Sequence, residues 1–301
     1  MTRPLFESEG FGEKVLGAVA WAQKLNISNR TLVANRPLLC ASGLGGSFPL
    51  AIFTAKRSEK FHVAAHVVRL DELRYSQAAL TTYVLVSASG SHASLLEARR
   101  RIENEGGALQ VVTLSPNSAL ASGAQSIAPP QDLFSPDEFL ALRNSLALAR
   151  ILDAAFGDDG PVALVSHELS DDDVAQAAQN GAVVVYDDVG RALSEDLAMR
   201  CRETRLSNML FQHVSDFVHG GFAALTPEHT AICIGGPHVA ELQKKLLLYG
   251  CRASLRQTVA CESIFAALCW SMDLHRRIVE RTSRFAVHST PLNEALWRQF
   301  R

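Results

Sequence analysis

Short apolar segments alternate with amphipathic segments along most of this 301-residue chain. In the first half, each apolar segment has the length of a strand and is followed by a polar or glycine-containing turn. The first half is predicted to contain strands at Pro37–Ala41, His62–Val68, Tyr83–Val86 and Leu109–Leu114, and helices at Phe48–Ser58 and Ala93–Asn104. Strands that alternate with helices of about ten residues indicate a parallel sheet with right-handed crossovers.

A Ser-, Ala- and Pro-rich stretch, Ser115–Pro136, ends this first unit, and the pattern then predicts a long helix over Pro136–Phe156. The second half is predicted to contain strands at Val162–Ser166, Ala182–Tyr186, Thr230–Ile234 and Arg252–Leu255, and helices at Ser263–Glu280 and Thr290–Phe300. Both halves repeat strand, turn, helix and strand, so that Ala231–Gly236 corresponds to Tyr83–Gly90. We therefore predict two subdomains, residues 1–157 and 158–301, packed on one another because no low-complexity linker separates them.

Composition and charge place the chain among ordinary globular proteins. It is 48% hydrophobic and 20% charged, and its net charge of −2 gives no indication of a nucleic-acid partner, which normally needs a basic face. No apolar run reaches the length of a membrane span, and the first residues lack the apolar core of a signal peptide. The six cysteines show no CxxC pair and the ten histidines no HxxxH pattern. We therefore expect reduced thiols, no metal site and a cytoplasmic protein.

The most informative segment is Val84–Ala98, VLVSASGSHASLLEA. An apolar strand runs into Ser87, Ser89, Gly90 and Ser91, and a helix follows. The first N–H groups of a helix have no internal partner and attract negative charge, and serine hydroxyls add donors. The segment therefore predicts a site for a phosphate monoester. The alternative is that these residues only cap the helix, as many Ser/Gly-rich turns do.

Three segments in this order resemble the SIS (sugar isomerase) family in its double-SIS arrangement. The chain is similar to the isomerase part of glucosamine-6-phosphate synthase and to fructosamine-phosphate deglycases. Leu44–Lys56 resembles the family's C-G-T-S turn and helix, Val86–Gly107 its S-Q-S-G-E-T-A-D-T-L loop and helix, and Glu195–Gly221 its helix pair. The resemblance implies an α/β fold of two three-layer α/β/α subdomains, each with a parallel sheet flanked by helices.

The resemblance also implies a ligand, a phosphorylated sugar or aminosugar. Ser87, Ser89 and Ser91 would hold its phosphate, and Ser47 would line the same pocket. The substrate-binding residues implied in this way are Gly46, Ser47, Ser87, Ser89, Gly90, Ser91 and His92.

Two further residues match the catalytic positions of the family, and their separation of sixteen residues is the family's. Glu203 matches the carboxylate that moves a proton between C1 and C2 of the open-chain sugar. His219 matches the ring-opening histidine, which the family supplies from the neighbouring subunit, so a homodimer is implied. From the residues alone, Glu203 could instead be a surface carboxylate paired with a neighbouring arginine. His219 could instead be an ordinary helix C-terminal cap.

Several positions depart from the family pattern. His92 stands in place of the loop threonine, Ala88 in place of the loop glutamine, and Leu296 in place of the tail lysine that forms a Schiff base. Tyr186–Asp188 replaces the second-half G-R-G turn and puts negative charge near the expected entrance for the sugar. The contacts that select the sugar are expected around Asp187, Asp188 and His238.

Two hypotheses of function follow. The first is a phosphosugar isomerase or deglycase that uses Glu203 and His219 and needs no metal or redox cofactor. The second is a non-catalytic phosphosugar-binding sensor or partner protein. A purely structural subunit with an empty loop is a third, weaker alternative.

Overall fold

The computed structural model describes residues 6–25, 27, 31–32, 35–59, 63–135, 139–158, 169–206, 208–226, 228–258, 262–282 and 286–287. The helices in these residues are α1 (Phe11–Gln23), α2 (Phe48–Ser58), α3 (Ala93–Asn104), α4 (Leu142–Ala155), α5 (Asp171–Asn180), α6 (Arg191–Glu203), α7 (Val214–Val218), α8 (Pro237–Leu248) and α9 (Ile264–Arg281). The strands are β1 (Phe6–Glu7), β2 (Leu38–Gly43), β3 (Ala64–Val67), β4 (Thr81–Ser87), β5 (Ala108–Thr113), β6 (Gln125–Ile127), β7 (Ala182–Tyr186), β8 (Met209–His213), β9 (Thr230–Gly235), β10 (Arg252–Gln257) and β11 (Ala286–Val287).

Two parallel sheets form the framework. The first has the strand order β3-β2-β4-β5-β6 and the second the order β8-β7-β9-β10. The two sheets therefore share one order: β3, β2, β4 and β5 of the first sheet correspond to β8, β7, β9 and β10 of the second. The first sheet has β6 as an additional strand at its edge. The predicted α/β class with parallel sheets flanked by helices is confirmed, and β9 occupies the position in its sheet that β4 has in the first. The division of the chain at residue 157 stays a prediction.

Elements with a strong local signal lie where the sequence predicts them. The bounds of α2, α3 and β7 lie where they were predicted, and the other predicted strands that the structure describes agree to within two residues at each end. The predicted strand Val162–Ser166 and the predicted helix Thr290–Phe300 lie outside the described residues.

The long helix predicted over Pro136–Phe156 is wrong at Phe139–Ala141, which form a 3-10 turn separate from the α-helix. The helix begins only at Leu142, because Leu140 and Ala141 have left-handed backbone angles, with φ of +68° and +46°. Residues 136–138 lie outside the described residues. An apolar run cannot by itself reveal such a break, since its periodicity continues across it.

The helix pair expected within Glu195–Gly221 is wrong in its second member. After α6, the chain forms strand β8 at Met209–His213, and only the five residues of α7 are helical. β8 pairs in parallel with β7, which supplies the backbone partners that a short apolar segment lacks on its own. The sequence also missed β6, a three-residue strand inside the Ser/Ala/Pro-rich stretch.

One apolar core joins the two halves. Its buried residues come from β2 and β4 of the first sheet, from β7 and β9 of the second, and from the helices between them, with α4 and α9 at the centre. Two smaller clusters cover the outer faces, one between the first sheet and α3, the other between the second sheet and α8. The halves thus pack on each other, as expected. Within the described residues, every helix is too short or too polar to cross a membrane.

Candidate functional site

A cavity of about 300 Å³ opens where the first sheet reverses its strand order, between the carboxyl ends of β2 and β4. The chain leaves β2 toward one edge of the sheet, where β3 lies, and leaves β4 toward the other edge, where β5 lies. The loops that follow these two strands therefore diverge and leave a crevice between them. The turn after β2 contributes Leu44, Gly46 and Ser47, and the loop after β4 contributes Ser87, Ala88, Ser89 and His92. We call this space the serine-loop cavity.

The serine loop, Ser87–His92, is held by its own hydroxyl groups. The Gly90 N–H donates to Ser87 Oγ at 3.0 Å, and both the N–H and the hydroxyl of Ser91 donate to Ser89 Oγ, at 3.3 and 3.1 Å. A hydroxyl oxygen that accepts a hydrogen bond still has its own O–H to donate. Ser87 and Ser89 both line the cavity, so each can donate to an anion while a backbone or side-chain donor polarises it.

The expectation of free amide groups in this loop is wrong at three positions. Gly90 and Ser91 donate their N–H groups to serine hydroxyls, and the Ser94 N–H donates to Nδ1 of His92 at 3.3 Å, which makes His92 the N-cap of α3. His92 therefore lines the cavity from its capping position without filling it. The hydroxyls, more than the amides, are the donors that the loop offers to a ligand.

Gly90 and Ser91 support the loop from behind the cavity lining. Gly90 is buried with φ of +62°, and a Cβ placed there would lie 2.2 Å from Oγ of Ser118 and 2.7 Å from its Cβ. Ser91 is exposed and reaches the cavity only through its hydrogen bonds to Ser89. The direct phosphate contact predicted for Ser91 stays a prediction.

Replacing Gly90 with Ala is expected to lower the free energy of unfolding by about 1–3 kcal/mol, because a left-handed backbone and a steric clash coincide there. Chemical denaturation would measure this loss. Ser118→Gly removes the clashing side chain, so the loss caused by Gly90→Ala should be smaller in the Ser118→Gly background. Equal losses in both backgrounds would contradict the steric explanation.

Glu203 is the last residue of α6 and brings a carboxylate to the same cavity. Its Oε2 is buried and has no hydrogen-bond partner, and none of the ion pairs between described residues includes it. Burial raises its pKa, against the weaker lowering effects of Arg200 and Arg202. The alternative of an arginine-paired surface carboxylate does not fit this geometry. An unpaired, desolvated carboxylate that faces a cavity is typical of a general base.

A buried ionic network fixes the end of α6 that carries Glu203. Asp196 and Arg200, 1% and 0% exposed, pair through two hydrogen bonds of 2.8 and 2.9 Å. Ser271 of α9 donates to Asp196 at 2.7 Å, and Thr204, the residue after Glu203, lies 2.8 Å from Nε2 of His275. Since Arg200 already has its own carboxylate partner, Glu203 is left unpaired while its backbone is held in place.

The first turn of α4 and the residues just before it supply lining residues that the sequence did not indicate. Leu140, Ala141 and Asn144 all border the cavity. The Leu140 carbonyl accepts a hydrogen bond of 3.1 Å from Arg200, and Asn144 exchanges two hydrogen bonds with the backbone of Ser135. These contacts hold non-glycine residues in a left-handed backbone at the cavity wall, a form of strain that is common at binding sites. No local signal could have revealed it, because the partner Arg200 is sixty residues away.

His219 lies away from the serine-loop cavity. It follows α7, is exposed, and its Nδ1 donates to the Ser215 carbonyl at 2.8 Å. This bond places the proton of the neutral ring on Nδ1 and leaves the Nε2 lone pair available. The C-terminal cap interpretation therefore fits the geometry, and the catalytic role of His219 stays a prediction.

The second sheet reverses its strand order between β7 and β9, and there Asp187 fills the corresponding crevice. Asp187 Oδ1 accepts the N–H groups of Val189 and Gly190, each at 3.0 Å, and Oδ2 accepts the Gly236 N–H at 2.9 Å. The Asp187 side chain is buried and does not line the serine-loop cavity. The expectation that Asp187 faces the entering sugar is therefore wrong, because its carboxylate takes the donors that an anion would need.

No group of three or more His, Cys, Asp or Glu side chains among the described residues is placed to hold a metal ion. The five described cysteines, at positions 40, 201, 233, 251 and 269, are free thiols. Cys261 lies outside the described residues, as do Leu292, Leu296 and Arg298 of the tail.

Comparison with known proteins defines the class of this fold. No protein-family model matches the sequence, and no curated protein sequence matches it. Solved structures do match, and the double-SIS fold predicted from the sequence is confirmed.

Three of these structures illustrate the likeness. The C-terminal domain of glucosamine-fructose-6-phosphate aminotransferase from Francisella tularensis has a TM-score of 0.61 at 14% identity, covering 94% of this chain and 96% of that one. Glucosamine-6-phosphate deaminase from Thermotoga maritima has a TM-score of 0.59 at 13% identity, covering 91% and 94%. Tagatose-6-phosphate ketose/aldose isomerase from Escherichia coli has a TM-score of 0.55 at 11% identity, covering 91% and 87%. At these identities the likeness is one of fold.

Proposed function

We propose that this protein is a phosphosugar isomerase or deglycase that moves a proton between C1 and C2 of a phosphorylated sugar or aminosugar. The observation that carries the proposal is the half-buried carboxylate of Glu203, whose Oε2 is buried and unpartnered, in the same cavity as Ser87 and Ser89. A phosphate held by the serine hydroxyls at one end leaves the other end of a small sugar free to reach the carboxylate. The names of the structural neighbours, an aminotransferase of fructose 6-phosphate, a deaminase and an isomerase, fit the same substrate class.

The proposed reaction needs one base and no external acceptor of electrons. Glu203 takes the proton from C2 of an open-chain aldose, the C–H electron pair forms the C1–C2 double bond, and the C1 carbonyl electrons move to O1, which takes a proton from water to give an enediol. The same carboxyl returns the carbon-bound proton to C1 while the C2 hydroxyl gives its proton to water and becomes the ketone, so that no net proton is gained or lost. A raised pKa suits this task, because the carboxyl must accept and release a proton at similar cost.

Ring opening is assigned to His219, contributed by a second copy of the chain. The distance of His219 from the cavity of its own subunit supports a contribution in trans, and its Nε2 lone pair is available for a proton. The surface beside it also suits a subunit contact, since Val218 and Phe222 are 52% and 58% exposed. Exposed apolar side chains grouped around a polar residue are typical of interfaces.

The non-catalytic alternative keeps the same ligand and removes the chemistry. It is favoured by His92, which caps α3 where the family has a threonine, and by the leucine in place of the tail lysine. A sensor would bind a phosphosugar through the serine loop and would not exchange its C2 proton.

A screen of sugar phosphates by thermal shift, followed by NMR in D₂O, distinguishes these functions. The enzyme should be stabilised by at least one sugar phosphate and should exchange that sugar's C2 proton for deuterium. Stabilisation without exchange would favour the sensor. If none of the sugar phosphates raised the melting temperature, both functions would be excluded.

Ser89→Ala is expected to weaken binding of the sugar phosphate found in this screen by about tenfold or more, since a hydroxyl donating to a charged oxygen is lost. Isothermal titration calorimetry measures the effect. Ser122→Ala, a serine outside the cavity lining, is the matched control and should bind as the wild type does. Unchanged affinity in Ser89→Ala would remove the serine loop from the site.

A further inference from the structure

We propose that a groove along a different face of α6 binds a phosphorylated aromatic compound with the chemistry of a nucleoside monophosphate. The groove consists of two adjoining cavities of about 300 and 200 Å³. Arg69, Glu195 and Arg202 border both cavities, so these three side chains stand where the cavities meet. We call it the α6 groove.

The α6 groove offers two guanidinium groups to an anion. Arg69 lies over the ring of Phe48, 5.2 Å from its centroid, and Nε of Arg202 donates to the Ala198 carbonyl at 3.2 Å. Neither side chain forms an ion pair with a described acidic residue, whereas Arg57, Arg200 and Arg256 all do. Guanidinium groups bind phosphate oxygens through two parallel hydrogen bonds, which makes a phosphate the fitting anion.

Part of the wall of the larger cavity is apolar and includes aromatic side chains. Tyr186 and Phe211 border it together with Leu206 and Met209. Such a wall receives a flat ring and buries its faces, while the arginines remain at one end. A simple sugar phosphate has no ring of this kind, so the groove and the serine-loop cavity favour different ligands.

Glu195 adds a hydrogen-bond acceptor to the same groove as the two guanidinium groups. Its carboxylate is only partly exposed and borders both cavities. An ionised carboxylate accepts hydrogen bonds from hydroxyl or amino groups. A ribose or a base amino group supplies them, so a nucleoside monophosphate meets all three features of the groove: phosphate, donor groups and ring.

The groove lies close to the serine-loop cavity along the chain. Arg202 precedes Glu203, and Gly43–Gly45 border the groove immediately before Gly46 and Ser47 border the cavity. Neighbouring residues of a helix point about 100° apart, so Arg202 and Glu203 serve two separate spaces. A ligand in the groove would contact the two segments that also shape the serine-loop cavity.

Isothermal titration of the full chain with AMP, UMP, adenosine and inorganic phosphate tests this site. We expect AMP or UMP to bind at about 1 mM or below, with adenosine and inorganic phosphate each about tenfold weaker or more. Arg69→Gln and Arg202→Gln should each weaken nucleotide binding by about tenfold or more. Arg100→Gln, which removes an arginine 70% exposed on α3, is the matched control and should bind as the wild type does.

Three results would overturn the proposal: no nucleotide binding at about 1 mM, wild-type affinity in both arginine variants, or a loss in Ser89→Ala as large as theirs. Circular dichroism of the variants distinguishes a loss of binding from a loss of folding. Both arginines are exposed, so we expect the two variants to fold. The site does not depend on the proposed function. A chain that bound AMP through Arg69 and Arg202 but no sugar phosphate would retain this inference and lose that one.

Discussion

Glu203→Gln is expected to lower kcat by about 10²- to 10⁴-fold, the range in which a positioned general base acts. The amide keeps the size of the side chain and removes its ability to take a proton from carbon. Binding of the sugar phosphate should change little, because the serine hydroxyls, and not Glu203, are proposed to hold the phosphate. Deuterium exchange at C2, measured by NMR, should fall together with kcat.

The pH dependence of the wild type gives a second measurement on Glu203. The base acts in its ionised form, so kcat/KM should fall as the pH drops through the pKa of Glu203. Because burial raises that pKa, the loss should begin above the ordinary value of 4.5 for a glutamic acid. A profile that stayed flat through this range would argue against Glu203 as the base.

The same substitution is expected to stabilise the fold at neutral pH. A raised pKa means that the folded protein binds the proton more tightly than the unfolded chain does. The stability from protonated Glu203 is therefore present at low pH and lost as the pH rises through the raised pKa. The substituted amide stays neutral at every pH. The difference in melting temperature between Glu203→Gln and the wild type should therefore increase as the pH rises from the ordinary pKa of a glutamic acid through the raised pKa of Glu203. Glu241→Gln, an exposed carboxylate on α8, is the control and should alter neither kcat nor this difference.

Mixing two inactive variants is expected to restore about one quarter of the wild-type activity. If Glu203 and His219 of one site come from different subunits, Glu203→Gln and His219→Ala are each inactive as homodimers. A mixed dimer carries both substitutions in one site and neither in the other. Random reassociation makes about half of the dimers mixed, and each has one intact site of two.

The experiment requires unfolding and refolding the variants together, followed by an activity assay. The separately refolded variants, combined only afterwards, are the control and should stay inactive until their subunits exchange. If activity does not return in the co-refolded sample, His219 acts within its own subunit, whereas a fully active His219→Ala homodimer would show that His219 takes no part. Size-exclusion chromatography with light scattering tests the dimer directly.

The sequence alone determined the class of fold and the location of the serine loop. The exact bounds of α2, α3 and β7 follow from local patterns, because capping residues, turn residues and apolar periodicity act within a few residues. The resemblance of Leu44–Lys56, Val86–Gly107 and Glu195–Gly221, in this order, to the SIS family implied the double-SIS fold. The segment Val84–Ala98 by itself indicates a strand followed by a hydroxyl-rich turn.

The tertiary structure decided which of these residues share a space. Pairing with β7 makes a strand of Met209–His213, and a hydrogen bond from Arg200 reaches the left-handed turn at Leu140. The buried Asp196–Arg200 pair leaves Glu203 unpartnered, and Asp187 fills the crevice of the second sheet. Each of these outcomes depends on partners that lie tens of residues apart in the chain, or on which of two carboxylates pairs with a nearby arginine. Local patterns fix the backbone near each residue, whereas burial and pairing depend on the packed whole.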